Sequence, residues 1–200
     1  MSVSEKRIFT VAMSGASGAI YGIRLVQQLL SSEHKVHFVM SEAAWQVFDL
    51  EEGLDVTDRE ACLERLFPTG DLHVHGLQDF RAPIASGSYK NDGVIVVPCS
   101  MGTLAKIAYG HSGSLLERSV DVALKEQRPL IIVPRETPLT STHLENMKRV
   151  ADAGGTVIPA MPGFYHKPET MDDLIDFVVG KILDRLDVNH SLFQRWGEMT

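Results

Sequence analysis

The sequence predicts an α/β fold with three layers: a doubly wound, mainly parallel sheet between two layers of helices, Rossmann-like or flavodoxin-like. Three observations predict it. Short β-branched runs alternate with amphipathic helical runs along the chain. The first such run leads straight into a glycine-rich turn, Ser14-Gly15-Ala16-Ser17-Gly18, and then into a helical pattern. Gly93 to Cys99 (GVIVVPC) is apolar at successive positions, as a parallel strand covered on both faces must be.

Ile8 to Met13 (IFTVAM) is the first strand. After the glycine turn, Ile20, Ile23, Leu25, Val26, Leu29 and Leu30 recur at helical spacing. Lys35 to Met40 (KVHFVM) is the second strand, and a helix follows from about Glu42 to Glu52. Thr57 or Asp58 caps a further helix that runs through Phe67. Residues 68–91 are irregular and rich in Gly, Pro, Ser and His, with a short strand near Leu72 to His75. Beyond Cys99 the pattern predicts helices from about Met101 to Tyr109 and from about Leu115 to Gln127. Leu130 to Pro134 is a strand, Ser141 or Thr142 caps the next helix, and Thr156 to Ala160 is the last strand. A long amphipathic helix runs from Glu169 to about Val188.

No internal repeat or linker divides residues 1–200, a length that suits one domain. Apolar residues make up 44% and charged residues 22%, which excludes disorder, collagen and coiled coil. The apolar runs are far short of the roughly 20 residues of a membrane span. The polar Met1–Thr10 stretch is not the pattern of a secretory signal peptide. Lys plus Arg number 19 against 26 Asp plus Glu, a formal charge of −7. That balance argues against nucleic acid or an anionic membrane as the main partner. Cys62 and Cys99 have no CxxC spacing, which fits a reducing, cytoplasmic compartment and no structural zinc. His73 and His75 share one strand face but find no further ligands at metal-binding spacing.

In open α/β sheets the function lies outside the carboxyl ends of the strands. Five loops qualify: Ser14–Gly18, Ser41–Glu42, Pro98–Thr103, Pro134–Ser141 and Met161–Lys167. The glycines of the first loop let backbone approach a ligand, and the helix start offers N–H groups to a phosphate. G-x-G-x-x-G and the P-loop lysine are both absent, and Ser41 stands where a ribose-binding acid would be expected. A mononucleotide therefore fits better than NAD. Ser100 and Thr103 add hydroxyls at a second helix start, where capping alone is the bland alternative. Arg135 and Glu136 follow a strand end directly. Arg118 and Lys125 share a helix face, where a solvated face with Asp121 pairing Lys125 is the bland alternative. Tyr165 offers a phenol from a stiff aromatic loop, or merely covers the core. Lys181 borders an apolar stripe, and either snorkels to water or turns to an anion.

In order, SGASGAIYGIRL, VHFVMSEAA, ASGS at Ala85 to Ser88, PCSMGTLAKIAYG, LLERSVDVALKE, LIIVPRETPLTSTHLENM, PGFYHKPET and RWGE make the chain resemble the UbiX-type flavin prenyltransferases over nearly its whole length. The resemblance implies transfer of a dimethylallyl group from dimethylallyl phosphate to N5 and C6 of reduced FMN. The product is a prenylated FMN used by UbiD-type decarboxylases. It implies FMN held by Gly15, Ala16, Ser17, Ser41, Ser100, Met101, Gly102, Thr103 and Arg135. It implies Tyr165, Lys181, Arg118 and Lys125 on the prenyl phosphate, and Glu136, Ser17 and Glu51 in acid/base roles. Phe80 stands where the family often has Trp, Lys181 where it can have Arg, and Trp196 matches an aromatic position. The family is commonly a large homo-oligomer, often a dodecamer, with sites between subunits.

The chemistry agrees with these assignments. Most prenyltransferases hold the leaving phosphate with magnesium and Asp-rich motifs, and here Asp172-Asp173 has no second acidic motif. Cationic side chains and a phenol can stabilise the same developing charge without metal. Two rivals carry different chemistry: an FMN-dependent peptidyl- or phosphopantothenoyl-cysteine decarboxylase, and a flavin carrier. The decarboxylases carry a histidine soon after the first loop and a PxMN motif. This chain has AIYGIRL and Pro134-Arg135-Glu136-Thr137. A carrier gives the cations and Tyr165 no reason to converge.

Overall fold

The computed structural model describes residues 5–197. The beginning of the Met1–Thr10 stretch and Glu198 of the RWGE segment lie outside the described residues. Among the described residues the strands are β1 (Ile8–Met13), β2 (Lys35–Met40), β3 (Asp71–His75), β4 (Gly93–Cys99), β5 (Leu130–Pro134) and β6 (Thr156–Val157). They pair in parallel, in the order β3-β2-β1-β4-β5-β6. Every residue of β4 and β5 is buried, which is why these runs are apolar at both parities.

The helices are α1 (Ala19–Ser31), α2 (Glu42–Glu52), α3 (Arg59–Leu66), α4 (Met101–Ala108), α5 (Leu115–Lys125), α6 (Ser141–Asp152) and α7 (Met171–Arg185). Alternate residues of the strands feed two cores. Phe9, Val11, Met13, Val36 and Phe38 pack with α1, α2, α3 and α7. Ala12, Val39, Val94 and Val96 pack with α4, α5 and Val150 of α6. Each fully buried Leu, Ile, Val or Phe contributes about 1.5–3 kcal/mol of burial.

Element ends move by a few residues, each for a local reason. Asp58, not Thr57, caps α3: its Oδ1 accepts the Ala61 N–H at 3.0 Å, while Thr57 bonds to Asp55. The cap of α6 is Thr140 rather than Ser141 or Thr142. Thr140 Oγ1 accepts the His143 N–H at 3.3 Å, and His143 Nδ1 accepts the Thr140 N–H at 3.3 Å. Thr170 and Asp173 make the same reciprocal cap on α7. α7 ends at Arg185, short of Val188, because Asp187 turns to φ 54°. β6 is shorter than the sequence suggests, since Pro159 has no N–H. Ile158 and Ala160 still donate to Ile132 and Pro134 of β5 at 2.9 and 3.1 Å.

Candidate functional site

The strand order reverses between β1 and β4, so α1 leaves onto one face of the sheet and α4 onto the other. The loops after these strands border the crevice where such folds bind ligands. Main-chain pairing of β1 with β4 extends to Ala12 and Val96. Beyond it the Ser14 N–H donates to Pro98 O at 3.2 Å, and the Ser100 N–H donates to Ser14 Oγ at 2.8 Å. Ser100 Oγ then accepts the Thr103 N–H at 3.3 Å and lies 3.1 Å from Thr103 Oγ1. Ser41 caps α2 alongside, accepting the Ala44 N–H at 3.1 Å. A side chain at Gly15 would put its Cβ 2.3 Å from Ala43 Cβ, so only glycine lets the first loop press on the start of α2.

Arg135 joins this set from the end of β5: its Nε donates to Ser17 O at 3.2 Å. Glu51, at the far end of α2, turns back to the same loop. One carboxylate oxygen, Oε2, accepts the N–H groups of Gly18 at 2.8 Å and Ala19 at 3.0 Å. Partial burial raises the Glu51 carboxyl. Hydrogen bonds from Ser17, Gly18 and Ala19 and the charge of Arg135 outweigh it and hold the group below its usual range. The sequence offered this helix start to a phosphate. In the structure its first N–H groups are taken by the protein's own carboxylate. Ser17, Glu51 and Arg135 are therefore linked, while Glu136 beside them is exposed and accepts the Thr137 N–H at 3.0 Å.

Four sequence-expected residues have other partners within one chain. Lys125 closes α5 before the amino end of β5, whereas Arg135 follows its carboxyl end. Lys125 pairs with Glu126. Arg118 bonds Ala85 O at 3.0 Å and Asp121 at 2.6 Å, so Asp121 pairs with Arg118 rather than with Lys125. Lys181 lies near the end of α7 with its Nζ 3.5 Å from Asp184, which also holds His190 and Arg195. Tyr165 sits edge-on to His166, Phe177 and Trp196, at ring separations of 5.7, 5.7 and 5.3 Å. Phe80 and Trp196 are exposed, at 46% and 76%.

Other chemistry lies away from the crevice. His37 of β2 is buried, with Nδ1 2.8 Å from His75 Nε2 and Nε2 2.8 Å from Tyr89 Oη. His73 pairs with Asp71. Among the described residues no group of three or more His, Cys, Asp or Glu is arranged to hold a metal ion. Burial pushes the Cys99 thiol up, so it is an inert core group. A hollow of about 580 Å³ lies between α2, α3 and β3, and one of about 730 Å³ lies along residues 166–170 and 190–195. Neither is lined by the crevice residues. Among the described residues no helix is long and apolar enough to cross a membrane.

The crevice thus presents hydroxyls at two helix starts and one guanidinium at a switch point. A Cβ at Gly102, in the first turn of α4, would meet nothing within 4 Å. That open face beside Ser100 and Thr103 suits a flat or phosphorylated ligand lying against backbone. The role of Ser14 was missed from sequence: a small polar residue ending a strand reads as a turn until its partner is known.

The family model described as Flavoprotein matches residues 2–183. A flavin prenyltransferase UbiX of Alkalihalophilus pseudofirmus is 58% identical over 99% of this chain and 100% of its own length. One of Pseudomonas aeruginosa is 44% identical, covering 94% and 93%. The crystal structure of AnUbiX (PadA1) in complex with FMN and dimethylallyl pyrophosphate superposes with a TM-score of 0.87 at 42% identity, covering 96% of this chain and 98% of that one. A dodecameric FMN-dependent UbiX-like decarboxylase from Escherichia coli has a TM-score of 0.85 at 41% identity, covering 94% and 98%. A PPC decarboxylase shares the fold at 20% identity and a TM-score of 0.62, over 79% of this chain and 84% of that one.

Proposed function

The chain belongs to the UbiX flavin prenyltransferases within the Flavoprotein family, and we propose that it moves a dimethylallyl group from a phosphate ester onto N5 and C6 of reduced FMN. Residues 1–200 act as one domain in this role. The observation that carries the proposal is the switch-point set: Ser100 bonded to Ser14 at the head of the glycine loop and to Thr103, with Arg135 bonded across to Ser17. Gly15, Ala16, Ser17, Ser41, Ser100, Met101, Gly102, Thr103 and Arg135 hold FMN. A chain so similar to a protein crystallised with FMN and dimethylallyl pyrophosphate supports both ligands.

FMN supplies the nucleophilic ring and is the acceptor of the prenyl group. The chain's own residues handle charge and protons. Breaking the allylic C–O bond leaves negative charge on the departing phosphate, which cations and a phenol stabilise. Tyr165, Lys181, Arg118 and Lys125 take this role. Because Arg118, Lys125 and Lys181 pair with Asp121, Glu126 and Asp184 within their own chain, we place them on the phosphate of a neighbouring copy. Dodecameric assembly of the Escherichia coli relative supports that arrangement. Ring closure removes a proton from the flavin, and a carboxylate beside Arg135 can accept it. Glu136 is that base, with Ser17 and Glu51 orienting or relaying protons at the loop. No metal takes part, and the prenylated product passes to a UbiD-type decarboxylase.

The test is anaerobic incubation with reduced FMN and dimethylallyl phosphate, read by mass spectrometry of the flavin. A prenylated, cyclised flavin with release of inorganic phosphate supports the assignment. Unchanged flavin there, with carbon dioxide released from a peptidyl-cysteine substrate in a parallel incubation with oxidised FMN, would replace it by the decarboxylase alternative.

A further inference from the structure

We propose that Ser14 is the positioning residue that fixes the two flavin-facing loops against each other, and so sets FMN affinity without being part of the prenyl phosphate site. The inference rests on the crevice being the FMN site. Ser14 is 2% exposed and stands just beyond the last register pair of β1 and β4, where its own N–H still donates to Pro98 O at 3.2 Å. Pro98 has no N–H to continue the ladder. The Ser14 side chain takes over. Its Oγ accepts the Ser100 N–H at 2.8 Å and lies 3.2 Å from Pro98 O and 3.4 Å from Ser100 Oγ, to either of which it can donate.

The next bonds lie on the ligand side. Ser100 Oγ holds Thr103 through its N–H and its hydroxyl. Ser14 is therefore one bond from the first hydroxyl of the α4 helix start and belongs to the same turn as Gly15–Ser17. Its hydroxyl orients the Ser100 peptide, and the Ser100 hydroxyl orients Thr103. A methyl group at position 14 would fill nearly the same space but leave the Ser100 N–H without its acceptor. The strands themselves stay paired over four residue pairs of β1 and β4 and buried on both faces, so the fold does not depend on this bond.

Three variants test the idea: Ser14→Ala, Ser100→Ala and the pair together, each titrated with FMN by flavin fluorescence and melted without ligand. Ser14→Ala is expected to weaken FMN about tenfold, which corresponds to about 1.4 kcal/mol. The KM for dimethylallyl phosphate should stay within about twofold, and the melting temperature within a few degrees. Because Ser14 acts through Ser100, the double variant should lose less than the product of the two single losses. Strictly multiplicative losses overturn the inference. So does an equal rise in KM for both substrates with a large fall in melting temperature, which marks a merely structural bond. If Ser14→Ala fails to fold, Ser14→Cys, which keeps a weak donor and acceptor, should fold and bind FMN with an intermediate loss. Wild-type binding by Ser14→Cys would also overturn the proposal. Arg135→Ala separates the two levels. If it and Ser100→Ala bind FMN normally, the site assignment fails. If they lose FMN and Ser14→Ala does not, only the role of Ser14 fails.

Discussion

Glu51 Oε2 accepts the backbone N–H of Gly18 at 2.8 Å, so the helix that follows the glycine loop is capped by a carboxylate contributed from the far end of α2. A helix start attracts anions because its first N–H groups lack partners. Here the protein supplies the anion. The same carboxylate is bonded to Ser17, whose carbonyl receives Arg135. One acidic side chain thus holds the loop assigned to FMN in shape.

Removing that carboxylate should loosen the loop. Glu51→Ala is expected to weaken FMN about tenfold at pH 7, and Glu51→Gln, which keeps an acceptor oxygen, should recover most of the loss. The folded carboxyl titrates below its ordinary value of 4.5. Its contribution is therefore complete at neutral pH and disappears as pH falls through the lower, folded value. Fluorescence titrations of the three proteins check this. Wild-type affinity in Glu51→Ala would show that the cap is dispensable.

Glu136→Gln should leave both ligands bound and slow product formation. A lost general base commonly costs about 10²–10⁴-fold in rate. Phosphate release in a single turnover should then run ahead of ring closure. Following phosphate and cyclised flavin side by side measures the gap, and equal rates for both, at the wild-type value, would remove Glu136 from the reaction.

Tyr165→Phe and Lys181→Ala should weaken the prenyl ester while sparing FMN. Loss of a charged hydrogen bond typically costs about 1.5–3 kcal/mol, or roughly 10- to 150-fold at about 1.4 kcal/mol per tenfold. Lys181→Arg keeps the charge and should retain substantial activity. If Lys181 only pairs with Asp184 in solution, as it does within one chain, Lys181→Ala will change neither ligand. Separate titrations with FMN and with dimethylallyl phosphate decide it.

Turnover should survive EDTA. Both acids of the Asp172-Asp173 pair are already engaged: Asp172 with Arg24 at 3.1 Å, and Asp173 in the cap of α7. Loss of activity in chelator, restored by magnesium, would show that the phosphate is held by a metal after all.

Acid should destabilise the fold through His37. Burial first, then the charges of His75, His73 and Lys35, lower its pKa to about 4, against an opposing pull from Asp71. Unfolded, it titrates near 6.5. The stability of the neutral form is whole above 6.5 and is lost as pH falls towards 4, because only the unfolded chain gains the proton. Urea midpoints should fall between pH 7 and pH 5, and fall less in His37→Gln, whose amide keeps a donor and an acceptor. The same pH slope in both proteins would clear His37 of the effect.

The sheet was legible from local pattern. Gly93–Cys99 and Leu130–Pro134 are apolar at both parities because both faces are covered, and that constraint is written residue by residue. Glycine in the first loop is equally local in its cause: the Cβ of any other residue at position 15 would strike Ala43. Element ends were less legible, since Thr140, Ser141 and Thr142 are chemically similar caps and only the reach of Thr140 to His143 separates them. Resemblance alone makes Glu51 an expected site residue. Nothing in its neighbourhood in the chain announces that it caps a helix 33 residues away.

By itself, then, the sequence determined the alternation of strands and helices, the strand-end loops proposed to carry the chemistry, and the family to which they belong. These follow from short-range rules: side-chain periodicity, backbone freedom at glycine, and the residue types a loop can present. Only the tertiary structure decided which of those groups meet. It brought Ser14, Ser100, Arg135 and Glu51 together, and it turned Arg118, Lys125 and Lys181 towards partners of their own. The reason is physical: hydrogen bonds and ion pairs form across a few ångströms of space whatever the separation along the chain. The strand order that sets that space is a property of the packed sheet and is not carried by any single segment.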